Sequence, residues 1–115
     1  MKIRILEQSV TRKQLSDWAA EGHGDMIKAV VDVGRQLVAV GGELHADAEA
    51  ILLEEGSKQE DLWGINIYPA QPAEERVEFH SLINIKPRQK HRSMEVQDPA
   101  VRERIRGIVD RWVEW

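Results

Sequence analysis

Residues 43–50 alternate strictly between ionisable and apolar side chains over eight positions. In a β-strand, successive side chains point to opposite faces of the sheet. A strand here would therefore collect four ionisable groups on one face, namely Glu43, His45, Asp47 and Glu49. Such a face is either an ordinary solvated surface or the floor of a site for metal binding or acid–base chemistry.

Two sets of signals compete over the secondary structure of this segment. The unbroken alternation, together with the hairpin-forming pair Gly41-Gly42, predicts a strand over 43–53. Alanine content, an N-cap at Asp47 and a stop at Gly56 favour instead a helix over 47–55. We take the strand as the prediction. If the helix forms, the shared ionisable face does not exist.

A second histidine could complete a metal site. His80 lies on the polar side of a strand predicted over 77–86, and neighbouring strands are ~5 Å apart. We therefore hypothesise that His45, Asp47 and His80 bind a divalent metal ion through imidazole and carboxylate ligands. A carboxylate beside either histidine could instead support acid–base catalysis. The alternative is a solvated face with cross-strand ion pairs. The other polar residues assigned to this sheet face are Asp32, Glu43, Glu49, Asn66 and Asn84.

Basic residues cluster shortly before the last predicted helix. They are Lys86, Arg88, Lys90 and Arg92. Arginine binds phosphate or carboxylate bidentately, and a helix N-terminus also favours anions. This segment predicts an anion site or an RNA contact, but a solvated loop that offsets the acidic segment 54–61 explains the same charges. The formal net charge of −4 argues against a generic nucleic-acid-binding protein.

Capping signals and periodicity predict the elements that position these residues. Thr11 and Gln14 match a capping box that begins a helix ending near Glu21, and Asp98-Pro99 begins a last helix that reaches the C-terminus. Further strands are predicted over 2–7, 27–33, 36–40 and 62–68. The predicted fold class is α+β. It is an antiparallel β-meander of four to six strands, with N-terminal and C-terminal helices packed on one face and a polar opposite face.

Length and composition limit the class of protein. The 115 residues, 42% of them hydrophobic, fit a single globular domain over 1–115. The absence of cysteine excludes disulfides, thiol nucleophiles and thiolate zinc sites. No apolar run approaches the ~20 residues of a membrane helix, and the charged N-terminus does not resemble a signal peptide. We therefore expect a cytoplasmic protein. Edge strands and the terminal Trp115 favour a homodimer.

Three segments resemble a family of small, mainly bacterial proteins classed as a domain of unknown function. They are GGELHADAE at 41–49, DLWGINIYP at 61–69 and SLINIKP at 81–87, followed by Arg92-Ser93 leading to Asp98-Pro99. The resemblance implies an intact single-domain protein and no particular activity. The predicted function is a small binding or interaction protein that uses the polar sheet face, the basic segment or both. The alternatives are a metal-dependent or acid–base enzyme and an RNA- or nucleotide-binding module.

Overall fold

The computed structural model describes residues 1–115, which form a five-stranded sheet, a separate pair of short strands and three α-helices. The elements in chain order are β1 (Arg4–Ile5), β2 (Val10–Thr11), α1 (Arg12–Ala20), β3 (Ile27–Asp32), β4 (Leu37–Val40), α2 (His45–Glu54), β5 (Leu62–Ile67), β6 (Val77–Glu78), α3 (Pro99–Trp112) and β7 (Val113–Glu114). This arrangement confirms the predicted α+β class with four to six antiparallel strands. None of the three helices combines the length and the apolar content that a membrane crossing requires.

Strand order in the main sheet is β1-β4-β3-β5-β6, and every pairing is antiparallel. A meander would keep the strands in chain order, whereas here β3 lies between β4 and β5. The reason is α2, which connects β4 to β5. A helix can cross the face of a sheet, so the strand that follows it pairs on the far side of β3.

Residues 45–54 form helix α2, so the prediction of a strand over 43–53 is wrong. Alanine, leucine and glutamate are strong helix formers, so this local preference competes with the polar–apolar alternation, and packing of one helix face against the sheet decides for the helix. Ala48 and Leu52 stand four residues apart and therefore share one face of the helix. That face buries a small apolar cluster against the sheet, formed with Val30, Ala39 and Leu62.

The opposite face of the sheet carries the main core. Leu15 of α1 and Ile105 of α3 are fully buried there, within a single cluster of 18 buried residues. Both terminal helices therefore cover one face, as predicted. The parallel pairing of β2 with β7 joins the start of α1 to the end of α3. The face on which α2 lies, which we call the second sheet face, was expected to be polar. It is apolar beneath α2 and polar only beside that helix.

The segment predicted as a strand over 77–86 is a strand only at β6. Beyond it, His80 forms a single bridge with Glu95, and Leu82–Asn84 makes a tight 3-10 turn. The side chain of Asn84 replaces strand pairing here, because it exchanges two hydrogen bonds with the backbone of Gly64 in β5.

Trp115 docks within the chain, where its indole donates to Asp110 and the Arg76 guanidinium lies 3.9 Å from its ring centroid.

Candidate functional site

A cavity of about 270 Å³ opens on the second sheet face at the N-terminus of α2. We call it the histidine cavity, and the side chains that define it are Lys28, Leu44, His45, Asn66, His80 and Leu82. Lys28 and Asn66 face each other on the paired strands β3 and β5 and form a polar floor. Leu44 and Leu82 are 60% and 70% exposed and form an apolar rim. A few converging polar groups beside apolar side chains are typical of a small-molecule site.

His45 is the first residue of α2 and is buried. Its Nε2 donates a hydrogen bond of 2.8 Å to the carbonyl oxygen of Ile65, which leaves Nδ1 as an acceptor in the neutral ring. Burial lowers the pKa of His45 most strongly. The positive charge of Lys28 lowers it further, while the hydrogen bond to Ile65 opposes the change. The ring is therefore neutral at physiological pH.

His80 contributes a second imidazole to the lining of the cavity. Its Nδ1 lies 2.6 Å from Oε1 of Glu95, and Arg102 approaches the other oxygen of that carboxylate at 3.6 Å. Since the carboxylate accepts the Nδ1 proton, Nε2 is the basic nitrogen of the neutral ring. An imidazole oriented by a carboxylate in this way is the usual arrangement for general acid–base chemistry.

Asp47 does not reach this cavity. It is exposed on α2, two residues and therefore ~200° of helix rotation beyond His45. Its carboxylate instead accepts a hydrogen bond of 3.4 Å from the backbone N–H of Leu44. No group of three histidine, aspartate or glutamate side chains in the chain could hold a metal ion. Of the three hypothesised metal ligands, the structure therefore brings together His45 and His80 only. The strand over 43–53, which would have placed Asp47 on the same face as His45, does not form.

The five residues predicted for the polar sheet face lie in different environments. Asn66 lies in the histidine cavity, where its Nδ2 donates to Glu78 at 2.7 Å and its buried Oδ1 has no partner. Asp32 is fully buried and accepts hydrogen bonds from the turn after β3 and from Ser57. Glu43 is exposed before α2 and Glu49 lies on α2, whereas Asn84 is buried against β5.

A second cavity, of about 520 Å³, occupies the region of the predicted anion site. We call it the lysine cavity, and its polar lining consists of Lys58, Gln59, Glu60, Lys86, Arg88 and Gln89. Lys86 is buried, donates from Nζ to the carbonyl oxygen of Gln59 at 2.7 Å and lies 4.9 Å from the ring centroid of Trp63. Burial lowers its pKa, and the charges of Glu49 and Asp61 oppose that change.

Only two of the four predicted anion-binding residues line the lysine cavity. Lys86 and Arg88 do so, while Lys90 and Arg92 are exposed outside it. Arg88 lies within the turn Pro87–Gln89, and Lys90 follows that turn in a left-handed conformation with φ 58°. The basic segment therefore does not act as one continuous patch.

Sequence reasoning missed two residues that line the histidine cavity, Leu44 and Leu82, and also Glu95, which lies outside the lining and hydrogen-bonds to His80. Glu95 belongs to an irregular connection and is 15 positions from His80, so no local spacing relates the two. Leu44 and Leu82 are leucines in ordinary apolar patterns, and nothing local shows that they stay exposed. The one available signal was the position of Leu44 directly beside His45 in a distinctive segment.

A family model matches residues 4–112 of the chain. The chain belongs to the family described as "Protein of unknown function (DUF5674)". The DUF5674 match confirms the resemblance drawn from segments 41–49, 61–69 and 81–87, and every residue of both cavities lies within it. No curated protein and no solved structure matches the chain.

The lowered pKa of His45 predicts a pH dependence of stability. Unfolded histidine takes up a proton near pH 6.5, whereas the folded site resists protonation. The contribution of His45 is therefore full above pH 6.5 and is lost as the pH falls from there toward the folded pKa, with a slope of at most ~1.4 kcal/mol per pH unit. The variant His45→Gln keeps a donor for Ile65 and should flatten this part of the profile. Urea unfolding between about pH 7.5 and pH 5 measures it.

A second group, Glu49, changes stability with pH in the opposite direction to His45. The pH dependence of the wild-type protein must therefore be compared with that of the His45→Gln variant. Burial raises the pKa of Glu49, whose contribution is present below pH 4.5 and is lost as the pH rises toward its folded pKa. The difference between the wild-type protein and the His45→Gln variant removes this effect. Two parallel stability profiles over that range would contradict the prediction.

Proposed function

We propose that the protein binds a small molecule in the histidine cavity, with an anionic group at the polar floor and an apolar group at the leucine rim. The observation that carries this proposal is the convergence of Lys28, His45, Asn66 and His80 in one cavity. They come from four separate parts of the chain, namely β3, α2, β5 and the segment after β6. Only the folded protein assembles them.

Two features of the cavity favour an anion. Lys28 supplies a full positive charge and forms no ion pair within the protein. Helix α2 begins at the cavity, and its N-cap residue is Leu44, whose side chain cannot accept hydrogen bonds from the first backbone N–H groups. The N–H of Asp47 already bonds to the carbonyl oxygen of Leu44, so the earlier N–H groups of the first turn and the helix dipole are what attract negative charge.

Two carboxylates near the cavity do not cancel this preference. Glu78 accepts a hydrogen bond from Asn66, and Glu95 accepts one from His80 and lies beside Arg102. Both are therefore engaged with protein donors. The buried Oδ1 of Asn66 has no partner of normal hydrogen-bond geometry within the protein, although Asn66 is close enough to His45 to raise the pKa of that ring, so a ligand donor such as a hydroxyl group could satisfy this oxygen.

The leucine rim indicates that the rest of the ligand is apolar. Leu44 and Leu82 are the two most exposed of the large hydrophobic side chains, and both border the same cavity. Covering them removes apolar surface from water, which is worth roughly 25 cal/mol per Å². A volume of about 270 Å³ suits a small ligand. The proposed ligand class is therefore a small carboxylate with an alkyl or aryl group.

Titration calorimetry with octanoate as the probe tests this proposal. We expect saturable binding that Lys28→Met weakens by roughly tenfold, because a hydrogen bond to a charged group is worth ~1.5–3 kcal/mol. Leu82→Ser should weaken it to a similar extent through the loss of apolar contact. Leu53 provides the matched control, since it is a partly exposed leucine at the opposite end of α2. Leu53→Ser should bind octanoate like the wild-type protein.

Three results would contradict the proposal. Equal affinity for octanoate and for the uncharged 1-octanol would exclude an anionic subsite at the floor. Equal losses in the Leu82→Ser and Leu53→Ser variants would show that the probe binds apolar surface in general. Failure of carboxylates of several chain lengths to bind would remove the histidine cavity as a site for this ligand class.

A further inference from the structure

We infer that the lysine cavity is a second and separate binding site, which takes the phosphate group of a small molecule. It shares none of its lining residues with the histidine cavity. Its volume of about 520 Å³ lies within the range of ordinary ligand pockets. The two proposals therefore rest on different side chains and can be tested independently.

Unpaired positive charge is the main argument for an anion. Lys58, Lys86 and Arg88 line this cavity, and none of them forms an ion pair in the protein. One carboxylate, Glu60, stands against these three charges in the lining. A cavity with such an excess of cationic groups favours negatively charged ligands.

Lys86 makes this argument stronger than surface charge alone would. It is only 5% exposed, and the one hydrogen bond of its ammonium group goes to the carbonyl oxygen of Gln59. A buried ammonium group without a counter-ion is unfavourable, and its remaining two N–H donors are available to an acceptor. An anion bound in the cavity would supply both the charge and the acceptor.

The carboxylate with the largest electrostatic effect on Lys86 does not supply them. Glu49 influences Lys86 electrostatically, but the two groups are not within ion-pair distance, and the buried Oε2 of Glu49 has no hydrogen-bond partner. Burial also raises the pKa of Glu49, which weakens it as a counter-ion at mildly acidic pH. The charge of Lys86 is therefore only partly compensated within the protein.

The arrangement suits phosphate on a small molecule better than it suits RNA. A phosphate group offers several oxygens, which a guanidinium group and ammonium groups can contact together. RNA would require an extended basic track, but Lys90 and Arg92 lie outside the cavity. The net charge of −4 also disfavours a long polyanion.

The experiment is titration calorimetry on the full chain, with ribose 5-phosphate as the probe and ribose as its uncharged counterpart. We expect saturable binding of ribose 5-phosphate alone. Arg88→Met and Lys58→Met should each weaken it at least ~10-fold, because each removes a charge-assisted contact. Both residues are exposed at the cavity, so the variants should fold normally. Lys90→Met and Arg92→Met are the matched controls and should stay within ~2-fold of the wild-type affinity.

Three results would overturn the inference. No saturable binding of ribose 5-phosphate would remove the site. Equal losses in the Arg88→Met and Lys90→Met variants would assign binding to overall charge. Tighter binding of a single-stranded RNA oligonucleotide that depends on Lys90 and Arg92 would assign the basic segment to RNA. A Lys28→Met variant should leave ribose 5-phosphate binding unchanged, which separates this test from that of the histidine cavity.

Discussion

Replacing Asn84 with alanine should lower the free energy of unfolding by about 3–5 kcal/mol. Asn84 is fully buried, and its side chain satisfies three backbone groups. Its Oδ1 accepts from the N–H of Gly64 at 2.8 Å, and its Nδ2 donates to the carbonyl oxygens of Gly64 and Met94 at 3.0 Å each. The alanine variant leaves both Gly64 groups without a partner, at ~1–3 kcal/mol for each buried group, and leaves the carbonyl oxygen of Met94 with only the N–H of Ser81 as a donor.

The sheet itself provides no replacement for these bonds. β6 pairs only with Asn66 and Ile67 of β5, so the edge of β5 at Gly64 has no neighbouring strand. Urea unfolding measures the change in stability. Asn84→Asp separates hydrogen bonding from packing, because it keeps the shape and the acceptor but places a carboxylate against two carbonyl oxygens. We expect it to be about as destabilising as Asn84→Ala. A loss below ~1 kcal/mol in both variants would contradict this account.

Gly41→Ala should destabilise the protein by roughly 3–5 kcal/mol for a different reason. Gly41 has φ 105°, a conformation that side chains rarely adopt. A Cβ atom there would stand 2.1 Å from the main-chain oxygen of Lys2. That oxygen belongs to the backbone leading into β1, which pairs with β4 at Val40, so β1 would have to move away from the sheet.

Gly24→Ala is the matched control for this prediction. Gly24 also has a positive φ, of 95°, but a Cβ atom there would meet nothing within 4 Å. Its variant therefore measures conformational strain alone, which should cost ~1–2 kcal/mol. The additional loss in Gly41→Ala measures the clash with the backbone of Lys2. Equal losses in the two unfolding experiments would show that no clash occurs.

Local signals in the sequence were enough to locate the terminal helices and the central strands. Thr11 accepts the hydrogen bond from the N–H of Gln14 at 3.1 Å that its capping pattern predicted. Asp98 likewise accepts from the N–H of Ala100 at 2.9 Å, with Pro99 next to it. Caps and apolar runs are predictable because each depends on residues only a few positions apart.

Local signals failed where distant residues decide the structure. The segment 43–53 alternates like a strand, but α2 forms because Ala48 and Leu52 find an apolar partner in Leu62. Gly41-Gly42 resembled a hairpin turn, yet its positive φ angles serve a close approach to the N-terminal strand. In both cases the deciding contact lies elsewhere in the chain, where no periodicity could reveal it.

The sequence by itself determined which side chains are chemically able to bind a ligand or transfer a proton, including His45, His80, Lys86 and Arg88. Tertiary structure decided which of them meet. The crossover through α2 places His45 above the floor formed by β3 and β5, and the same helix turns Asp47 away from it. Side-chain type is local information, whereas the neighbours of a side chain depend on strand order and helix rotation. Those follow from burial of apolar surface across the whole chain.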